Sequence, residues 1–306
     1  MSRPGSLLAA PLLPAVPALA CDGRIIDGPA VTAPACVPET AQRIVALDPF
    51  YTLQMALLMD LPVVAAAWRG AAQPQAIPGV ASAKEVAGLA PIGEMSAPDL
   101  EAVIAAAPDL IVGDAYSHGA IAGQLAAIAP TILVASPDWK VYARTLAEAA
   151  DAVLAPYEAE AARLREALSG EGPVSFVRIT AGGIQLYVDG PAAHAPMEVL
   201  RNAGLERPPS EIVEDDTVLL RPTMEGPLGL EGEWLIYTLG GAHHTAESEA
   251  LHAEVTGDPL RQAIPAVAAG RVHRVEPQPW MSFGGPHSAM AILDDLRGIY
   301  GLPDGG

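Results

Sequence analysis

The stretch from Asp138 to Leu168, DWKVYARTLAEAADAVLAPYEAEAARLREAL, decides how the whole chain is organised. Helix-forming Ala, Glu, Leu and Arg fill these roughly thirty residues with one break at Pro156, so the stretch predicts a long connecting helix with a single kink. Ser169-Gly170-Glu171-Gly172-Pro173 stops it. On both sides short apolar runs alternate with helical periodicity, which is the pattern of parallel α/β structure. Ahead of the helix the expected strands are residues 44–47, 63–67, 110–112 and 131–134. A helix over 52–59 follows the first. Another is opened by Pro98 at its first position, striped by Leu100, Val103 and Ile104, and ended by Pro108. Behind the long helix come strands over 174–179, 184–188, 234–239 and 272–275, a short helix from Pro196 to Asn202 closed by Gly204, and a final helix from about His287 to Tyr300. The expected fold is therefore α/β, with two Rossmann-like lobes bridged by a single long α-helix and a ligand cleft between the lobes. The first lobe takes residues 21–137, the connecting helix 138–170 and the second lobe 171–306.

Composition narrows the function. The chain has 306 residues, 51% of them hydrophobic, which is enough to fill packed cores and excludes a disordered or fibrous chain. Seventeen Lys and Arg stand against 36 Asp and Glu, a net charge of −19, and Lys84 and Lys140 are the only lysines. A body this acidic repels phosphate backbones and anionic lipid, so nucleic acid is not an expected partner. An enzyme is not expected either: no G-x-G-x-x-G follows the first strand, and neither a G-x-S-x-G elbow nor a phosphate-binding loop occurs. At the N-terminus Arg3 precedes the apolar run Leu7 to Leu13, and Ala18-Leu19-Ala20 offers small residues for cleavage, so residues 1–20 read as a signal peptide cut after Ala20. Cleavage there leaves Cys21 first, open to lipidation, although Ala18 stands where a lipobox usually has leucine. The other outcome is a bridge to Cys36, which closes a 15-residue loop worth about 3 kcal/mol.

Several stretches resemble the iron-siderophore binding proteins of ABC importers, the class III substrate-binding proteins whose two α/β lobes are bridged by one helix. They are Arg43-Ile44-Val45-Ala46-Leu47-Asp48, Ile92-Gly93 followed by Pro98-Asp99-Leu100-Glu101, Pro108-Asp109-Leu110-Ile111-Val112 and Ile128-Ala129-Pro130. In the C-terminal part, Asp258-Pro259-Leu260-Arg261 through Ala266-Val267, Ala269-Gly270-Arg271-Val272, and Trp280 before Gly284-Gly285-Pro286 are similar to the ferric hydroxamate branch. The resemblance implies a periplasmic, monomeric carrier. It would capture a ferric siderophore between its lobes and hand it to an ABC permease dimer, with no cofactor of its own because the Fe3+ arrives inside the chelate. The same resemblance implies that Glu101 and Glu225 dock on the permease. It also likens Cys36-Val37-Pro38 to an entry segment bridged to an upstream cysteine. Haem, cobalamin or another metal complex is the alternative cargo, with Met95, His118 or His243 as conceivable axial ligands. A bare metal ion would need several converging ligands, and the histidines close in sequence are His243, His244 and His252.

Ligands meet open α/β sheets at the carboxyl ends of strands, which singles out the loops there. In the first lobe these carry Phe50, Tyr51, Trp68, Arg69, Glu94, Met95, Tyr116, Ser117 and His118. In the second they carry Arg178, Arg221, His243 and the run Trp280-Met281-Ser282-Phe283. Trp280 and Phe283 are expected to form an aromatic wall and the arginines to bind chelate oxygens. Where the hydroxamate branch commonly carries an arginine, this chain reads Glu94-Met95-Ser96-Ala97. Either Arg69, Arg178 or Arg221 takes over that task, or the ligand is less anionic.

Overall fold

The computed structural model describes residues 21–69, 83–135, 138–146, 150–223, 229–240 and 246–303. The expected signal peptide, Glu225, His243 and His244 lie outside the described residues. The chain begins with an antiparallel hairpin, β1 (Arg24–Ile26) with β2 (Ala35–Val37). The first sheet follows, in the order β6-β5-β4-β3-β7-β8, from β3 (Ile44–Ala46), β4 (Val63–Trp68), β5 (Ala90–Glu94), β6 (Ala97–Pro98), β7 (Leu110–Asp114) and β8 (Thr131–Val134). All its pairings are parallel except β5 with β6. Helices α1 (Thr52–Leu58), α2 (Ala83–Val86), α3 (Leu100–Ala105), α4 (Ala115–His118) and α5 (Ala122–Ala126) lie between its strands. The second sheet runs β11-β10-β9-β12-β13. Its strands are β9 (Val174–Thr180), β10 (Gly183–Tyr187), β11 (Leu219–Leu220), β12 (Trp234–Leu239) and β13 (Val272–Arg274); β9, β12 and β13 are parallel, and β10 and β11 antiparallel.

Between the sheets two segments of the expected long helix are described, α6 (Trp139–Leu146) and α7 (Ala150–Ala167), the latter with Pro156 inside it; residues 147–149 lie outside the described residues. In α7 the buried residues Leu154, Tyr157, Ala161 and Leu164, continued by Leu168 just past its end, recur at steps of three and four, forming one apolar stripe. α6 packs on α1, and α7 packs on α8 (Ala195–Asn202) and on the terminal helix. The remaining helices are α9 (Ala246–Gly257), α10 (Pro265–Ala268), α11 (Pro277–Trp280) and α12 (Pro286–Ile299).

Strand residues of the first sheet are apolar on both faces, as a parallel sheet covered on both sides requires. Val45, Leu47, Ala65, Ile111 and Leu133 face a core closed by Val103 and Leu125. Ile44, Ala46, Ala66, Val112 and Ile132 face the opposite way, into a core that runs continuously through α6 and α7 to Phe176, Ile236 and Leu293 of the second half. The two lobes thus share one hydrophobic core. Pro98 does not open a helix: it closes β6, and Asp99 caps α3, its carboxylate accepting the Glu101 and Ala102 amides. A capping aspartate fixes a helix start more firmly than a proline permits one.

Cys21 and Cys36 are bridged, with Cα atoms 5.6 Å apart. A bridged Cys21 has no thiol left to carry a lipid. The bridge tethers a segment that lies along β8: the Thr32 amide donates to the Leu133 carbonyl at 3.2 Å, the Ala135 amide donates to Ala30 at 2.8 Å, and Val31 pairs antiparallel with Val134. The unreduced protein, denatured, should show no reactive thiol in a thiol titration. Reduction, or Cys36→Ser, should lower the free energy of unfolding in urea by about 3 kcal/mol, and equal stability with and without reductant would show that the hairpin needs no tether.

Candidate ligand-binding site

The strand order of the first sheet reverses at β3, with β4 and β5 to one side and β7 and β8 to the other. This leaves a crevice at the carboxyl ends of β3 and β7. An aspartate two residues past β3 and another at the end of β7 organise the turns that follow. Asp48 Oδ1 accepts from the amides of Phe50 (3.0 Å) and Tyr51 (2.7 Å), and Oδ2 from the Thr52 hydroxyl. Burial raises the Asp48 pKa despite these bonds. Asp114 caps α4 by accepting the Ser117 amide at 2.7 Å. The caps fix the positions of Tyr51, Tyr116 and Ser117.

The crevice opens into a cavity of about 480 Å³ between the lobes. Asp48, Phe50, Tyr51, Met95, Asp114, Tyr116, Ser117, Val134 and Ala135 line it from the first lobe, Tyr142 from α6, and residues 192–195 with Val218 from the second lobe. Tyr51 and Tyr142 stack with ring centroids 5.2 Å apart and planes 25° from parallel. Behind them Phe283 lies 6.5 Å from Tyr51 and 5.7 Å from Trp139. Burial, helped by the charges of Asp48 and Asp114, pushes the Tyr51 phenol up to about 12 and raises Tyr142 further, so both stay protonated. In the second-lobe wall His194 Nε2 sits 2.7 Å from the Trp280 carbonyl, so Nε2 carries the proton. Burial, reinforced by the charge of Arg178, lowers its pKa and outweighs that bond, keeping the ring neutral.

Among the residues singled out in the sequence, Phe50, Tyr51, Met95, Tyr116 and Ser117 come together here. Trp68 ends β4 inside the core, and exposed Arg69 places its guanidinium 5.7 Å from the centroid of Phe50. Trp280 is not a cleft wall. It is wholly buried, stacked on Phe176 at 4.8 Å, and donates from Nε1 to Asp295 at 2.8 Å. Phe283 is also buried and only backs Tyr51. Arg178 turns its Nε to the Gly240 carbonyl, and Arg221 is exposed; neither lines the cavity. The reason lies in the second sheet. Because β10 is antiparallel to β9, the lining loops leave β10 and enter β11 at the end where β9 and β12 begin, away from their carboxyl ends. The sequence reading missed Asp48, Asp114, Tyr142, His194 and Val218. The stretch Asp189-Gly190-Pro191, directly after an apolar strand, is the signal that could have marked that loop.

His118 lies behind the cavity, fully buried. Its Nε2 donates to the Met95 carbonyl at 2.9 Å, and Nδ1 stands 3.2 Å from the Asp114 amide and 3.3 Å from Asp114 Oδ2. A neutral ring accepts from that amide, and a charged ring donates to the carboxylate, so both states are satisfied. Burial pulls the imidazole pKa down, but the hydrogen bond and charge of Asp114 and the Met95 carbonyl outweigh it and raise the value above 6.5. Burial likewise pushes Asp114 up, and bonds from His118 and Ser117 reverse this to a net lowering below 3.8. The raised pKa stabilises the fold fully below 6.5, and this stabilisation is lost as pH climbs through the folded value. The lowered one stabilises above 3.8 and is lost as pH falls through its folded value. The unfolding free energy of wild type relative to His118→Gln should therefore be greatest in mildly acidic buffer and shrink toward alkaline pH. A pH-independent difference would assign His118 to packing alone. At Gly113 a Cβ would meet His118 Nδ1 and Leu47 Cδ1 at 2.9 Å, so Gly113→Ala should cost about 1–3 kcal/mol in the same assay.

Known proteins share this architecture. The family described as periplasmic binding protein matches residues 44–279. The probable siderophore-binding lipoprotein YfiY of Bacillus subtilis (strain 168) is 26% identical over 228 residues, 70% of this chain and 69% of that protein. Among solved structures, Staphylococcus aureus SirA complexed with staphyloferrin B aligns with a TM-score of 0.70 at 19% identity, covering 89% of this chain and 97% of that one. The FhuD protein from S. pseudintermedius aligns at 0.65 and 18% identity, covering 89% and 96%. At such identities the structural likeness speaks for the fold, while the family match spans most of both lobes and the segment joining them. With two α/β lobes, a shared core and a cavity between them, the chain belongs to the periplasmic binding protein family.

Proposed function

We propose that this protein is an exported carrier that captures a ferric siderophore in the interlobe cavity and delivers it to an ABC importer permease, without catalysing a reaction. The observation that carries this reading is the aromatic, hydroxyl-bearing cavity at the switch point of the first sheet, facing the second lobe. Its volume of about 480 Å³ falls in the range of small-molecule sites. YfiY, by its name a probable siderophore-binding lipoprotein, and SirA, whose structure holds staphyloferrin B, support the class of cargo. Iron enters as part of the cargo, with the chelator supplying the metal ligands. Of the axial groups considered for haem, His118 Nε2 is already committed to the Met95 carbonyl.

In this reading residues 21–137 and 171–306 are the lobes and 138–170 the connector. Aromatic contacts tie them: Tyr51 of the first lobe touches Phe283 of the second, and Phe283 touches Trp139 of the connector. The lobes therefore close little on binding. Glu101, exposed in the first turn of α3, and Glu225 in the second lobe serve as the permease contacts.

Tryptophan emission should report occupancy, because the Met95 amide bonds the Trp68 carbonyl at 2.9 Å and Trp139 adjoins the ring that backs Tyr51. Titration with a panel of ferric siderophores should give a saturable change that haem and cobalamin do not give. Saturation by haem, with a Soret band in the purified complex, would replace the siderophore. Glu101→Ala with Glu225→Ala should leave ligand affinity unchanged while reducing ligand-dependent ATPase stimulation in reconstituted importer, and full stimulation would remove both from the docking surface.

A further inference from the structure

The missing arginine near Met95 left two possibilities, a substitute cation or a less anionic ligand, and the position of every basic side chain bears on the choice. Outside the described residues the chain has a single arginine, Arg3, and no lysine; every other arginine and lysine can be located. None lines the cavity, whereas the carboxylates Asp48 and Asp114 do. Arg69 is exposed and lies over Phe50, Arg178 is engaged with the Gly240 carbonyl, and Arg221 is exposed beyond β11. Lys140, the nearest basic residue on α6, is held by Glu198 at 2.7 Å.

We infer that the chelate this cavity accepts is uncharged or carries net positive charge, and that multiply anionic chelates are rejected. The inference rests on the siderophore reading and names the charge class of its ligand. A multiply anionic chelate entering here would give up its hydration without gaining a guanidinium fork, and would sit against a carboxylate. The chain's charge of −19 repels it on approach as well. A neutral or cationic chelate meets what the walls do offer, namely the hydroxyls of Tyr51 and Tyr142, the neutral ring of His194, and aromatic faces that attract positive charge.

The test is a titration of the full chain, after signal-peptide removal, with three ferric chelates: ferrioxamine B (singly positive), ferrichrome (neutral) and ferric enterobactin (triply negative). At least one of the first two should bind roughly tenfold or more tightly than the third, with the gap narrowing as salt is added. Val218→Arg, at a partly exposed position of the cavity wall, should shift the ratio of enterobactin to ferrichrome affinity about tenfold toward enterobactin. Equal or tighter binding of enterobactin by wild type would overturn the charge assignment and leave the carrier role standing, as would a Val218→Arg variant with unaltered discrimination. Binding of none of the three would overturn the siderophore reading itself.

Discussion

The first turn of any helix presents amide groups that the helix cannot satisfy, and this chain meets that need with aspartate at the points that shape the cavity. Asp48 holds the turn into α1, Asp114 caps α4, and Asp138 caps α6 by accepting the amides of Lys140 and Val141. These three turns carry Tyr51, Tyr116 and Tyr142. An acidic chain thus places part of its negative charge where backbone dipoles favour it, and the aromatic walls inherit their positions from those bonds. The cavity is set by backbone geometry before any ligand arrives.

The parallel strands were legible because a sheet buried on both faces writes continuous apolar runs, such as Ile44-Val45-Ala46-Leu47 and Leu110-Ile111-Val112. The first-lobe half of the cavity followed from the rule for carboxyl ends of parallel strands, and Phe50, Tyr51, Met95 and Tyr116 lie where it puts them. The second-lobe half did not, because the rule for parallel strands was applied to β10, although the two-residue link Ala181-Gly182 after β9 allows only an antiparallel return. Trp280 misled for a related reason. Its prolines and glycines mark a loop, but a loop can fold inward when the ring finds Phe176 and its N–H finds Asp295. Tyr142 escaped notice because a helix between lobes has neighbours on several sides, and its periodicity does not say which face meets a cavity.

The lobes are coupled by more than the connector. Tyr142, Tyr51, Phe283, Trp139 and Tyr157 form a chain of ring contacts from the cavity through α6 to α7. Close-packed rings transmit displacement poorly by bending and well by shifting together. The ring contacts thus link the cavity wall to the connector inside the core that the two sheets share.

The N-terminal segment lying along β8 has a consequence beyond one molecule. At the other sheet edges, β6 and β11 are two residues long and β13 three, too short to recruit a partner strand. β8 is longer, and its Thr-Ile-Leu-Val sequence is of the kind that joins strands of separate chains. Residues 30–32, held in place by the hairpin and its cross-link, occupy that edge. The cross-link thus helps to hold a cover over backbone groups of β8 that would otherwise face outward unpaired.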